Sequence, residues 1–416
     1  MIVPVVDISS NKSSYRIEEL AVTSTPAAGP LRIAVVGCGA IAPRHAEAYA
    51  DTGLTELVGV VDVDLQRARQ FGDRYRCRNV YSTVEDLLQK QSPDLVSITT
   101  PPGTHAQLAV AVLEAGSTVL LEKPPCVTLA DMDMIAEAEA RSSGAAYVVF
   151  QHRHGSAARR AKRLLSTGAL GSPQVSVCET LWYRPVSYFA PDWRGTWRGE
   201  GGGPTLGHGI HQFDLLLHLL GPWTTIDALA ARVDRPIEFE DVSMAMVRFD
   251  NGSVGSVINS LLSPQELSRI RIDTSGGTLQ VAHVYGYKDA DWSWTALPDP
   301  ESGANLGRDP GVQKDGAEPA PVGANENPWT ASAGPELPSN HFAQISLLVD
   351  DLLAGRPHET TLASTRPTME FVTALYQSAL LGSSVRRSDL TPGNPFYTDL
   401  SGGLSAESIA KTMLVE

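Results

Sequence analysis

LRIAVVGCGAIA, residues 31–42, is an apolar run from Leu31 to Val36 that breaks into a glycine turn. A second apolar run ends at Asp62, twenty residues beyond Ala42. This order, strand then turn then helix then an acid closing the next strand, is what a dinucleotide-binding βαβ unit requires. Gly37 allows the tight turn, Gly39 and Ala40 admit a pyrophosphate close to the backbone, and Ala42 lets helix pack on strand. The helix starting near Ile41 would offer its free N–H groups and positive dipole end to the phosphates. Asp62 suits the hydroxyls of an adenosine ribose and would repel a 2′-phosphate, and neither Val63 nor Asp64 could hold one. The cofactor expected is therefore NAD(H) over NADP(H).

Working outward, residues 31–152 alternate β-rich and helical runs. Strands are expected at 31–36, 57–62, near Val80, and at 94–99, 118–122 and 146–151. Helix starts are marked by Ser82 with Glu85, Thr104 with Gln107 and Thr128 with Asp131. Six strands with intervening helices predict a doubly wound parallel sheet, a Rossmann domain. From residue 153 to 392 the pattern changes to a helix near 157–166 followed by long β runs. The sequence FDNGS at 249–253 carries the Asn-Gly signal of a two-residue hairpin. This second, α+β domain should contain a large, mostly antiparallel open sheet reaching about Tyr287. Residues 288–340, rich in Pro, Gly, Ala and Asp, read as a long insertion serving as lid, oligomer arm or mobile loop. Helices are expected at 341–353 and 367–381, a flexible extension at 1–30, and a tail with short helical tendency at 393–416.

The chain has 416 residues, 42% hydrophobic and 19% charged, enough for two cored domains. A net charge of −14 argues against nucleic acid and anionic membranes as partners and for a small-molecule site. The four cysteines, Cys38, Cys77, Cys126 and Cys178, form no CxxC pair and fit a reducing compartment. The expected location is the cytoplasm. Cys38 lies inside the glycine loop, where its backbone should matter more than its thiol.

Two further clusters could carry chemistry. Glu122-Lys123-Pro124-Pro125 closes the fifth strand, placing Lys123 at the carboxyl edge where ligands bind in an open α/β sheet. GGGPTLGHGIHQFD, residues 201–214, holds His208, His211 and Asp214 behind a glycine run. Together with Gly37, Gly39 and Ala42, Thr100-Pro101-Pro102 with His105, Arg153 after the sixth strand, and Glu240-Asp241, these residues resemble the Gfo/Idh/MocA oxidoreductases across about residues 31–390.

The resemblance implies hydride transfer between nicotinamide and a carbon bearing a secondary alcohol, on a sugar, sugar derivative or cyclitol. His211 would be the general acid/base and Lys123 its assistant, hydrogen-bonding the substrate oxygen. Placement near a helix start would favour the neutral form of His211. Thr100, Pro101, His105, Glu122 and Lys123 would line the cofactor crevice with the glycine loop. Many relatives place an aspartate four residues before the catalytic histidine, whereas this chain has Gly207. His208 or Tyr183 could then orient His211, or His211 could act alone. His152, Arg153, Tyr183, Trp193, Arg194 and Trp197 would face a polyhydroxylated ring, or else pack between domains or subunits. His208, His211 and His218 lack the third ligand and second shell of a metal site, so no metal is expected. By resemblance the protein is expected to be a homodimer or homotetramer. The alternatives are an NAD-dependent glycosidase or lyase that oxidises, eliminates and reduces again, and a non-catalytic NAD-sensing protein of the same fold.

Overall fold

The computed structural model describes residues 29–298 and 327–413. Most of the proposed N-terminal extension and the middle of the 288–340 insertion lie outside the described residues. From Leu31 on, the described residues form one compact unit.

The first sheet contains β1 (Leu31–Val36), β2 (Thr55–Val61), β3 (Val80–Tyr81), β4 (Leu95–Ile98), β5 (Thr118–Leu121) and β6 (Ala146–Val148), in the order β3-β2-β1-β4-β5-β6. Every pairing in it is parallel. The order reverses between β1 and β4, which opens a crevice beyond their carboxyl ends. These strands are continuous apolar runs because helices cover both faces. The helices are α1 (Ala42–Thr52), α2 (Leu65–Tyr75), α3 (Val84–Gln91), α4 (His105–Glu114) and α5 (Leu129–Arg141). Thr128 and Asp131 close the expected capping box on α5. The start of α3 is shifted by one residue: Thr83, not Ser82, accepts from the Asp86 N–H. Thr104 does not cap α4: its hydroxyl donates to the Pro101 carbonyl and also meets the Thr100 hydroxyl.

Next come α6 (Ser156–Ser166), β7 (Pro173–Tyr183), α7 (Trp197–Glu200), α8 (Ile210–Leu220), β8 (Trp223–Ala231), β9 (Val242–Phe249), β10 (Val254–Ser260), β11 (Leu262–Thr274), β12 (Gly277–His283) and β13 (Trp292–Ala296). Then follow α9 (Pro328–Ala331), α10 (His341–Leu353), α11 (Leu362–Leu381), β14 (Val385–Arg386), α12 (Pro395–Thr398) and α13 (Ala406–Met413). The second sheet runs β13-β12-β11-β7-β10-β9-β8-β14 and is antiparallel except for β7 with β10. It extends past Tyr287, since β13 falls within the stretch expected to be insertion.

The β9–β10 hairpin closes with Phe249 N–H on the Ser253 carbonyl, enclosing Asp250, Asn251 and Gly252. The loop thus has three residues, not two, and Gly252 takes the left-handed position at φ +85 that such loops need. The tail is part of the globule, because Phe396, Ile409 and Met413 bury against Leu380 and Ala230. The largest apolar cluster joins Val36 and Ile98 of the first sheet, Phe213 on α8, Leu375 on α11 and Val257 of the second sheet. One continuous core therefore fixes α8 against both sheets.

Candidate active site

The glycine loop is built to approach a phosphate. Gly37 sits at φ +91, and a Cβ there would lie 2.7 Å from the Thr100 methyl, so no other residue fits without displacing β4's end. A Cβ at Gly39 would meet nothing within 4 Å, so the backbone there borders open space. Helix α1 begins next to it with no side-chain cap on its first N–H groups. An open concavity against a bare helix N-terminus fits a dinucleotide pyrophosphate.

Asp62 is buried, with Oδ2 accepting from Cys38 N–H at 2.9 Å and Oδ1 from Asp64 N–H at 2.8 Å. The carboxylate thereby ties the glycine loop to the end of β2, and the Cys38 backbone does carry the contact. The Cys38 thiol is pushed up to about 12 by burial and the Asp62 charge. One neighbour was not read from sequence: Arg67, one turn into α2, stands 3.5 Å from Asp62.

His105 is fully buried, with Nε2 on the Thr100 carbonyl at 2.8 Å and Nδ1 on the Pro124 carbonyl at 2.9 Å. Both nitrogens face backbone carbonyls, so His105 braces the loops after β4 and β5. Glu122 is likewise occupied. Its Oε1 takes Nε2 of both His45 and His341 at 2.9 Å, while Ser97 Oγ lies 3.0 Å from His45 Nδ1 and 2.7 Å from Tyr49 O–H. Burial alone would raise the Glu122 carboxyl, but hydrogen bonds from His341 and His45 hold it well below the usual carboxylate range. His45, Glu122 and His341 also form the one grouping among the described residues with metal-ligand spacing. Both Nε2 atoms lie at hydrogen-bond distance from the same carboxylate oxygen. Sequence reasoning passed over His45 and His341. For His45, the available signal was a histidine four residues before Tyr49 on the buried side of α1.

Lys123 follows Glu122 and reaches across to the 201–214 segment, where its Nζ donates to the Gly207 carbonyl at 3.0 Å. That segment is shaped by Glu240, which accepts from Thr205 N–H at 3.1 Å and from Tyr376 O–H at 3.0 Å. A Cβ on Gly203 would strike the Glu240 carbonyl at 2.4 Å, and one on Gly209 would strike Asn259 at 2.2 Å. Residues 205–209 form a π-helical turn leading into α8, a local widening common where side chains are presented for chemistry. His211, on the first turn of α8, is buried with its Nδ1 unpartnered.

His152 stands edge-on to His211, ring centroids 5.3 Å apart, and Tyr285 does so at 5.6 Å. The His211 imidazole is held well below its ordinary range by burial first, then by Lys123 and His152. Burial, more than the helix start, keeps it neutral. His152 falls to about 3 for the same leading reason, and its Nδ1 meets Ser339 Oγ at 3.2 Å. Lys123 is pushed below its usual value by burial, against the Glu122 charge that favours the ammonium.

Several expected site residues are placed elsewhere. Tyr183 points away from the crevice, 43% exposed, with the Arg235 guanidinium over its ring at 5.3 Å. Strand alternation instead turns Trp182 inward, edge-on to His208 at 4.9 Å. His208 makes its ring contacts with Trp182 and Tyr188, whereas the rings packed on His211 are those of His152 and Tyr285. Arg153 is buried in a bidentate pair with Asp214, Nε to Oδ2 at 2.7 Å, and also meets the Ser364 carbonyl. It locks α8 in place and does not line the crevice. Trp197 packs edge-on to Phe239 and Tyr376, a core role. Arg194 lies over Tyr188 at 4.1 Å and over Trp193 at 4.3 Å, and its charge reaches both Lys123 and His208. His218 lies 3.6 Å from Glu359, apart from the pair with which it shares sequence spacing.

Residues 31–150 match the oxidoreductase family with an NAD-binding Rossmann fold, GFO/IDH/MocA, and residues 158–280 match the GFO/IDH/MocA C-terminal domain. The chain is 27% identical over 288 residues to the D-glucoside 3-dehydrogenase of Escherichia coli K12, covering 63% of this chain and 80% of that protein. It is 26% identical over 391 residues to the D-apiose dehydrogenase of Paraburkholderia graminis, covering 89% and 93%. The WlbA dehydrogenase of Bordetella pertussis, solved with NADH and UDP-GlcNAcA, shares the fold at TM-score 0.72 and 24% identity, over 86% of this chain and 98% of that one. From glycine loop to second sheet, this chain belongs to the GFO/IDH/MocA oxidoreductases, and its first domain is an NAD-binding Rossmann fold.

Proposed function

We propose that the protein is an NAD-dependent dehydrogenase of a secondary alcohol on a sugar, sugar derivative or cyclitol. The observation that carries this reading is the Lys123 to Gly207 contact at 3.0 Å, which brings an ammonium from the NAD-binding sheet against the turn that presents His211. The pyrophosphate would rest on Gly37, Gly39, Ala40 and Ile41, the ribose against Asp62, and the nicotinamide end near Thr100, Pro101 and Lys123. When bound, NAD supplies the hydride acceptor. His211 takes the hydroxyl proton as the C–H carbon becomes a carbonyl, and its neutral imidazole is ready to do so because burial disfavours the charged form. Lys123 donates to the same oxygen and stabilises the alkoxide charge that develops there. The site is apolar-walled by Trp182, Tyr188 and Tyr285, which suits the C–H face of a sugar ring.

Absorbance at 340 nm over a panel of sugars and cyclitols tests the reading. One class of polyol should yield stoichiometric NADH. Product released with no net NADH would replace it with an oxidation, elimination and reduction cycle. No turnover despite intact NAD binding would leave a nucleotide-sensing protein. The outward face of the second sheet exposes Leu229, Met244 and Met246, with Met246 at 67%. An apolar patch of this kind supports a homodimer, or a homotetramer, seated on that face. Light scattering should return a multiple of the 44.5 kDa chain mass, and a monomer would reject it.

A further inference from the structure

His45, Glu122 and His341 come from three elements: α1, the residue after β5, and the first position of α10. The two Nε2 atoms each lie 2.9 Å from Glu122 Oε1, and the three ligand atoms stand within 4.8 Å of one another. The rings are tilted by 61°, so the nitrogens reach the carboxylate from different directions. Two imidazoles and one carboxylate are a zinc ligand set with a fourth position left over. Ligand atoms about 2.1 Å from a tetrahedral ion stand about 3.4 Å apart, so each nitrogen needs to retreat by only about half an ångström to admit one.

The set is also supported from behind. Tyr49 and Ala48 of α1 pack with Ile345, Leu348 and Val349 of α10, and Asn340 caps α10 by accepting from Ala343 N–H, which fixes the turn that carries His341. A coordinated Nε2 leaves the ring proton on Nδ1. For His45 that nitrogen faces Ser97 Oγ at 3.0 Å, a hydroxyl that can accept it, as the outer partner of a metal-bound imidazole does. Glu122 is held as the carboxylate by the two imidazoles, and burial keeps His45 neutral, the forms that coordinate. The three side chains are 0, 8 and 11% exposed, so bulk water competes little for an ion among them.

We infer that His45, Glu122 and His341 bind a divalent ion of the zinc type, which ties α10 to the first sheet and uses neither His211 nor Lys123. The ion exchanges the two N–H···O contacts for two bonds to Nε2 and one to the carboxylate, with water in the fourth position.

The test is calorimetric titration of the full, tag-free chain with Zn²⁺ after chelator treatment, without nucleotide or sugar, with Co²⁺ as a spectroscopic probe. One equivalent of zinc should bind and raise the thermal midpoint. Cobalt should show the visible bands of a four-coordinate ion and no thiolate charge-transfer band. His341→Gln should weaken zinc by about 100-fold or more and Ser97→Ala by about tenfold, while His211→Asn should stay within a few-fold of wild type. Circular dichroism checks the fold of each variant, and the wild-type cobalt spectrum decides even where a variant does not fold. The absence of saturable binding at one equivalent would leave these side chains a hydrogen-bond network only and overturn the inference. Binding unchanged in His341→Gln, binding lost in His211→Asn, or a thiolate band with cobalt would overturn it too, by placing the ion elsewhere.

Discussion

In the proposed function, the cofactor choice falls to Asp62 with Arg67 beside it. The carboxylate is fixed by two backbone N–H groups and so would present a rigid charge to a ribose bound there, while Arg67, 54% exposed, lies beside it. Asp62→Ser removes the repulsion and leaves the guanidinium free to meet a 2′-phosphate. The ratio of NAD to NADP affinity should fall by at least about tenfold, read by fluorescence titration with NADH and NADPH. An unchanged ratio would place the discrimination elsewhere. Asp62 was legible in sequence because its distance from the glycine turn is fixed by one helix and one strand. Arg67 was not, because its approach depends on the helical turn that brings a residue five positions on back to the strand end. Tyr183 and Trp182 show the same limit from the other side. Composition marked an aromatic segment, and the strand's two-residue period decided which ring faces the site.

The element that matters most is the 201–214 segment, whose path is set by its buried partner Glu240. Glu240 is pushed up to about 7 by burial, and its Oε1 receives Thr205 N–H and Tyr376 O–H. Gly203→Ala would drive a methyl into that residue's backbone, so it should lower stability by about 2 kcal/mol or more in urea unfolding. Gly207→Ala, with open space at the same kind of position, should change stability by about 1 kcal/mol or less. Equal losses would mean that the segment is not held by Glu240. The run of glycines was plain in sequence, but which of them pack and which face open space depends on residues distant in sequence, Glu240 and Asn259.

Of three expected helix starts only that of α5 is capped as read, and α11 begins at Leu362, five residues before the expected 367, with Pro367 inside it. The parallel sheet was legible for a simpler reason, since buried parallel strands read as apolar runs. The shared core was less so. The tail looked weakly helical because its apolar residues are few, yet Phe396, Ile409 and Met413 find a ready-made apolar surface on α11 and β8. The histidine network at Glu122 joins α1, β5 and α10, three elements that no local pattern brings together.

At the scale of the whole molecule, burial of histidine governs the response to pH. Eight of the ten histidines, His45, His105, His152, His154, His208, His211, His218 and His358, are held below the ordinary value with burial the leading cause. A depressed imidazole contributes its stability fully above the unfolded value of about 6.5, and that contribution is lost as pH falls through the window below it. Glu240, Glu200 and Asp214 act in the opposite sense, since burial raises them and the folded protein holds their protons at higher pH. The histidines outnumber them, so unfolding near pH 6 takes up protons. The urea midpoint should therefore be lower at about pH 5.5 than at about pH 7.5, and a midpoint that rises on acidification would contradict this balance.

The most direct test of the proposed chemistry pairs Lys123→Met and His211→Asn with the substrate that the polyol panel identifies. Both positions border the crevice without carrying the core, so NADH affinity by fluorescence should stay within a few-fold of wild type. Each variant should lose about 10²-fold or more in kcat, the range expected when a positioned proton-transfer or alkoxide-stabilising group is removed. Turnover by either variant within a few-fold of wild type, with NADH bound normally, would contradict the assignment of the reaction to this lysine and histidine.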